Sequence, residues 1–121
     1  MKISIVTDEI SADLETALEL SKDWGVDAVE LRGVGRHRYP AVDDLWQTRV
    51  PELIRESGLQ VAAPSPGLFK IPFPRPPGTD TRILRWEDAT VFEQSRKAEA
   101  RVRYHLETLL PASILAAQQL G

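Results

Sequence analysis

Trp24-Gly25-Val26-Asp27-Ala28-Val29-Glu30-Leu31-Arg32 is the stretch that decides the fold, because it joins an amphipathic segment to an apolar run through a single glycine. Upstream of it, Leu14, Ala17, Leu18, Ser21 and Trp24 recur at three- and four-residue spacing, which predicts one face of a helix over residues 13–24. Gly25 then falls at the position where a residue without Cβ closes a helix cheaply. Residues 26–32 are strand-like, and side chains on a strand alternate between its two faces. With Val29 and Leu31 turned towards covering helices, Ala28, Glu30 and Arg32 occupy the opposite face.

The same alternation extends in both directions. Residues 3–7 form a short β-branched run, a good strand by propensity, which ends in the polar Asp8-Glu9-Ile10-Ser11. A second helix is expected between about residues 43 and 57, closed by Gly58. Its Pro51 allows two outcomes: a kinked helix, or a helix that begins at the proline itself. A third strand is expected over residues 60–65. It runs into a segment, 64–78, that holds six of the nine prolines and suits neither a helix nor an inner strand. The resulting loop, 66–87, is long enough to be a lid or a disordered segment. After it, Asp88 or Thr90 can cap a long helix with an apolar side of Val91, Ala98, Val102, Leu106, Leu109 and Leu110. Pro111 marks a kink or restart, and Ile114, Ala117 and Leu120 carry the stripe to Gly121.

Three strand–helix units in a row predict an α/β protein with a parallel sheet and helices outside it. A doubly wound sheet usually has about five strands, and a (β/α)8 barrel needs eight strands and about 250 residues. With 121 residues and three units, a partial (β/α)8 TIM barrel, truncated before its fourth strand, is the expected architecture. The bulk properties narrow the function. Apolar residues make up 42% and charged residues 27%, as in a soluble globular chain. A net charge of −3 argues against nucleic-acid binding. The absence of cysteine excludes a disulfide scaffold, a thiolate zinc site and a cysteine nucleophile. No apolar run reaches the roughly 18–20 residues of a membrane span, and the start is too short for a signal peptide, so the expected location is the cytoplasm.

Three segments carry a family resemblance: Ile5-Val6-Thr7-Asp8-Glu9-Ile10-Ser11, the stretch from Trp24 to Arg32, and Ser65-Pro66-Gly67-Leu68-Phe69-Lys70. Together with Leu109-Leu110-Pro111-Ala112-Ser113-Ile114 and the final Leu120-Gly121, they resemble the first three units of the sugar phosphate isomerase/epimerase family, the xylose isomerase-like TIM barrels. The resemblance implies an isomerase or epimerase of carbohydrate metabolism that acts on a sugar or sugar phosphate by metal-assisted proton transfer next to a carbonyl. It also implies a divalent metal (Mn, Mg or Zn) for the whole barrel. Those ligands and bases sit mostly on the fourth to eighth strands, so no metal ligand and no catalytic residue is carried over, and the short chain alone is expected to bind no metal and to be inactive. Two other readings stand beside this one: a non-catalytic truncated barrel or binding module, and a relative of the endonuclease IV-type AP endonucleases. The acidic balance and only two histidines speak against the last.

In such a barrel the ligand lies at the C-terminal ends of the strands. That places Asp8, Glu9, Glu30, Arg32 and Ser65 as candidate substrate contacts. Glu30 is the sharpest of them, since a carboxylate facing a barrel interior is costly unless paired; a structural pair with Arg32 or Arg36 would also explain it. Asp8 and Glu9 can wall a polar pocket or cap the helix that follows. Arg36-His37-Arg38-Tyr39 can meet a phosphate or a sugar hydroxyl, with His37 the candidate contact, although a solvated, mobile loop is the plainer account. His105 is expected to be a surface or packing residue. Gly33 and Gly35 lack the third glycine of a dinucleotide fingerprint.

The same pattern generates an expectation about assembly. Neither Ile3-Ser4-Ile5-Val6 nor Val61-Ala62-Ala63 carries a charge that would blunt an open strand edge. The 121-residue chain is therefore expected to self-associate through those edges or to be loosely folded. Sedimentation combined with thermal melting tests this, and a compact monomer with one cooperative transition would refute it.

Overall fold

The structure, a computed structural model, describes residues 2–70 and 97–121. The proline-rich segment from residue 71 onward and the helix start expected at Asp88 or Thr90 lie outside the described residues. The elements in chain order are β1 (Ser4–Val6), α1 (Thr7–Ile10), α2 (Leu14–Asp23), β2 (Ala28–Leu31), β3 (Gly33–Val34), β4 (His37–Arg38), α3 (Asp44–Ser57) and β5 (Gln60–Pro64). Residues 97–104 are helical (α4), His105–Leu109 is a π-helical turn, and α5 spans Leu110–Leu120.

Local chemistry sets the helix limits. The Asp13 carboxylate accepts the Thr16 N–H at 2.9 Å and its hydroxyl at 2.6 Å, which opens α2 and holds the Asp13 carboxyl below its usual pKa. Asp43 caps α3 in the same way, accepting the Trp46 N–H at 3.0 Å. Gly25 (φ 69°) and Gly58 (φ 73°) end the two helices in the left-handed region. Of the two outcomes for Pro51, the helix that starts at the proline is excluded, since α3 runs through it from Asp44 to Ser57. An interior proline costs about 3 kcal/mol. Burial of Val50, Leu53 and Ile54 on the same helix offsets it.

The chain has mixed α/β content, with a three-stranded parallel sheet alternating with helices. Strand order is β1-β2-β5, so β2 is central. The register pairs Ser4 with Ala28, Ile5 with Val29 and Val6 with Glu30, then Val29 with Val61 and Leu31 with Pro64. An irregularity between Val29 and Glu30 shifts the β5 register, so that Glu30 pairs with Ala63. Val29 and Leu31 are fully buried and cluster with Leu14 and Leu18 of α2, Val50, Leu53 and Ile54 of α3, and Ala116 of α5. The helices thus cover one face. The opposite face carries polar pairs: Ser4 Oγ donates to Glu30 Oε1 at 3.1 Å, and Lys2 Nζ to Gln60 Oε1 at 3.0 Å. Among the described residues, β1 and β5 each pair only with β2, which leaves one edge of each strand open. Among the same residues, no helix is long and apolar enough to cross a membrane.

Two regions differ from the sequence expectation. Of Arg36-His37-Arg38-Tyr39, read as a solvated, mobile loop, the first three are exposed, but β3 and β4 pair antiparallel, Gly33 with Arg38 and Val34 with His37, and Tyr39 is fully buried. At the C-terminal end the buried face comprises Ala98, His105, Leu109, Ser113 and Ala116, whereas Leu106 and Ile114 are half-exposed. Its polar members are satisfied, since Ser113 Oγ donates to the Leu109 carbonyl at 2.6 Å. The π-helical turn directly before Pro111 lets the helix restart with the proline in the first turn of α5.

The Tyr39 hydroxyl is buried without a hydrogen-bond partner, the one such side-chain atom among the described residues, and burial raises its pKa. An unmade bond of this kind costs about 1–3 kcal/mol. Tyr39→Phe is expected to raise unfolding stability by about 1 kcal/mol, since the ring packing is kept and the orphan group removed. Denaturant titration checks this, and a clear loss of stability would show that the hydroxyl is bonded in solution.

Candidate functional site at the strand ends

Parallel pairing of β1 with β2 sets Val6 beside Glu30, so the residues that follow each strand meet at one end of the sheet. After β1 the chain turns at once into α1. Thr7 is fully buried there; its hydroxyl donates to the Glu30 carbonyl at 3.3 Å, and its own carbonyl accepts the Ser11 N–H at 3.2 Å. This one helical turn, tied to β2, presents Asp8 and Glu9 towards Arg32. Arg32 Nε donates to both Asp8 oxygens at 3.0 Å, and Nη2 bonds Glu9. The bonds to Glu9 and then Asp8 raise the pKa of the guanidinium further. Capping of α2 is therefore not the role of Asp8 or Glu9, because Asp13 does that work.

Gly33 completes the arrangement. A Cβ at this position would lie 2.5 Å from Asp8 Oδ2 and 2.8 Å from its Cγ, so only a glycine lets the Asp8 carboxylate reach Arg32. The cluster is partly open: the side chains of Arg32 and Asp8 are 27% and 25% exposed, and Glu9 is more so. In such surroundings ion pairs contribute modestly to stability, and their main effect is to fix polar atoms in space.

The other candidates lie around this group. Glu30 sits on the open face of the sheet, bonded to Ser4; it pairs with neither Arg32 nor Arg36, since Arg32 has turned to Asp8 and Glu9. Ser65 extends the β2–β5 ladder, with its N–H on the Leu31 carbonyl at 2.7 Å, and its carbonyl accepts Arg38 Nη1 at 3.3 Å. His37 is exposed on β4, where no hydrogen bond joins its side chain to the other described residues. The structure thus brings Asp8, Glu9 and Arg32 together, sets Ser65 near them by way of Leu31, and leaves Glu30 and His37 outside the ion-paired group.

Two further residues bear on this region. Arg38, from the cluster read in the sequence as able to meet a phosphate or a sugar hydroxyl, reaches the loop after β5. The buried His105 accepts the Phe69 N–H on Nδ1 at 3.0 Å, with the two rings 5.7 Å apart. That bond holds Phe69 at φ 56°, a left-handed conformation that side chains other than glycine rarely adopt. The imidazole therefore pins the loop that leaves β5. A polar residue within an otherwise apolar helical stripe was the available signal for a packing role, although the partner is 36 residues away.

Asp8 and Glu9 are both engaged by Arg32, and among the described residues no group of three or more His, Asp or Glu side chains is placed to hold a metal. These residues do not fit the divalent ion that the family resemblance implies. Comparison with known proteins finds no matching family model, no matching curated protein and no matching solved structure.

Gly33→Ala is expected to cost about 1–3 kcal/mol, because the added methyl displaces Asp8 from Arg32. In an Asp8→Ala background most of that cost should vanish, since the two closest contacts are gone. A double-mutant cycle by chemical denaturation measures the coupling, and strictly additive costs would show that Gly33 does not serve Asp8.

Proposed function

We propose that this chain supplies three βα units of a (β/α)8 barrel that isomerises or epimerises a sugar or sugar phosphate by proton transfer next to a carbonyl. The observation that carries the reading is the polar group at the C-terminal ends of adjacent parallel strands: Asp8 and Glu9 after β1, Arg32 after β2 and Ser65 after β5. Ligands of α/β proteins bind at such strand ends. Carboxylates locked by an arginine suit the hydroxyls of a sugar, which need acceptors and donors at fixed positions. Glu30, on the open face and, among the described residues, bonded to Ser4 Oγ on one of its oxygens, keeps acceptor capacity for a further hydroxyl. The proton-transferring group and the metal of this chemistry belong, on this reading, to further units that would pair with the open edges of β1 and β5.

A second reading, a non-catalytic binding module, draws on one specific observation. Both carboxylates beside Arg32 are already neutralised by it, which favours holding a ligand over moving a proton. Nucleic acid is disfavoured as a partner by the net charge of −3.

The test is solvent exchange. The chain joined to the strands that complete its barrel is incubated in D2O with a panel of aldoses, ketoses and their phosphates, with Mn, Mg or Zn supplied. Deuterium is expected at the carbon next to the carbonyl of one member, and Glu30→Gln is expected to lower kcat/KM about tenfold, the loss of one charge-assisted hydrogen bond. Saturable sugar binding without exchange would instead support the binding module. Exchange unaffected by Glu30→Gln, Asp8→Asn and Arg32→Met would remove these strand ends from the reaction.

A further inference from the structure

The arginines near the sheet are not equivalent. Arg32 is matched by Asp8 and Glu9, and Arg49 by Glu15, Glu52 and Glu56. Arg38 has no carboxylate within ion-pairing distance among the described residues, yet it is held in place. Its Nη1 donates to the Ser65 carbonyl at 3.3 Å, and β4 pairs its backbone with Gly33, next to Arg32. The loop after β5 is shaped around it. A Cβ on Gly67 would lie 2.8 Å from Arg38 Nη1 and 3.3 Å from its Cζ and Cδ, and Gly67 has φ 74°. The left-handed backbone favours glycine at this position, and its missing Cβ leaves room for the guanidinium to lie against the chain.

A guanidinium has five N–H donors in a planar fork and no acceptor, so the single bond Arg38 makes among the described residues leaves most of them for a ligand. We propose that Arg38, seated against Ser65 and Gly67, is an anion-recognition subsite at the strand ends that takes the planar oxygen pair of a phosphate monoester or a carboxylate on a small molecule. Bidentate pairing of this geometry is what an arginine offers and a lysine does not. The neighbouring cation cannot take this role, because Arg32 already has two carboxylate partners. The subsite needs only the β3–β4 hairpin and the loop after β5, so it stands whether or not the chain takes part in isomerisation.

Calorimetric titration of the full chain at low ionic strength tests it, with inorganic phosphate in one arm and acetate in the other. Low salt matters because the site is exposed and screened. One saturable site is expected, and the arm that binds more tightly identifies the anion as phosphate or carboxylate. Affinity should fall about tenfold in Arg38→Gln, and by a similar factor in Arg38→Lys, which keeps the charge but loses the fork. Arg101→Gln, on α4, should bind as the parent does. Circular dichroism melts of the variants should match the parent, since Arg38 is exposed. The absence of saturable binding in both arms, or binding that survives Arg38→Gln, would overturn the proposal. Full affinity in Arg38→Lys would reduce the subsite to a point charge and overturn the bidentate fork.

Discussion

Val29 and Leu31 hold the molecule together. They stand on the central strand, expose no surface, and are the point at which α2, α3 and α5 converge on the sheet. Removing a side chain such as Leu31 from a packed core costs about 2–5 kcal/mol, a large share of the stability of a small domain. Everything that gives the strand ends their geometry depends on this burial. The parallel register places Val6 beside Glu30, and that register is secured because a one-residue slip would turn Val29 and Leu31 towards water.

From this constraint the strand-end group follows in short steps. Thr7 is pulled into the interior and bonds the Glu30 carbonyl, so the chain after β1 must turn sharply. The turn carries Asp8 and Glu9 back across the end of β2, where Arg32 meets them and Gly33 leaves room. On the other flank, His105 from the C-terminal helical segment fastens Phe69, and Arg38 from the hairpin lies against Gly67. The loop after β5 is thus gripped from two directions by residues distant in sequence. Polar side chains held in this way are positioned before any ligand arrives, which is the condition for selective recognition.

Much of the architecture was legible in the chain itself. Helical spacing at Leu14, Ala17, Leu18 and Ser21, the closing glycines at 25 and 58, and the apolar alternation around Val29 each specify a local element by a local cause. The C-terminal helical segment was harder to read. Its buried face includes His105 and Ser113, polar residues whose partners are a distant backbone N–H and a carbonyl one turn back, so hydrophobic periodicity selected Leu106 and Ile114 instead. Tyr39 follows charged neighbours that by themselves read as a loop, yet the core receives it.

The sequence by itself determined the alternation of β1, α2, β2, α3 and β5, where α2 and α3 end, and that Glu30 and Arg32 lie away from the covering helices, because propensity, capping and period-two alternation act between neighbours in the chain. Tertiary structure decided that Arg32 binds Asp8 and Glu9 and leaves Glu30 to Ser4, that α3 runs through Pro51, and that His105 holds the Phe69 loop. Each of these outcomes is a choice among partners. Such a choice is set by distances between elements far apart in sequence, which exist only once Val29 and Leu31 have drawn the helices onto the sheet.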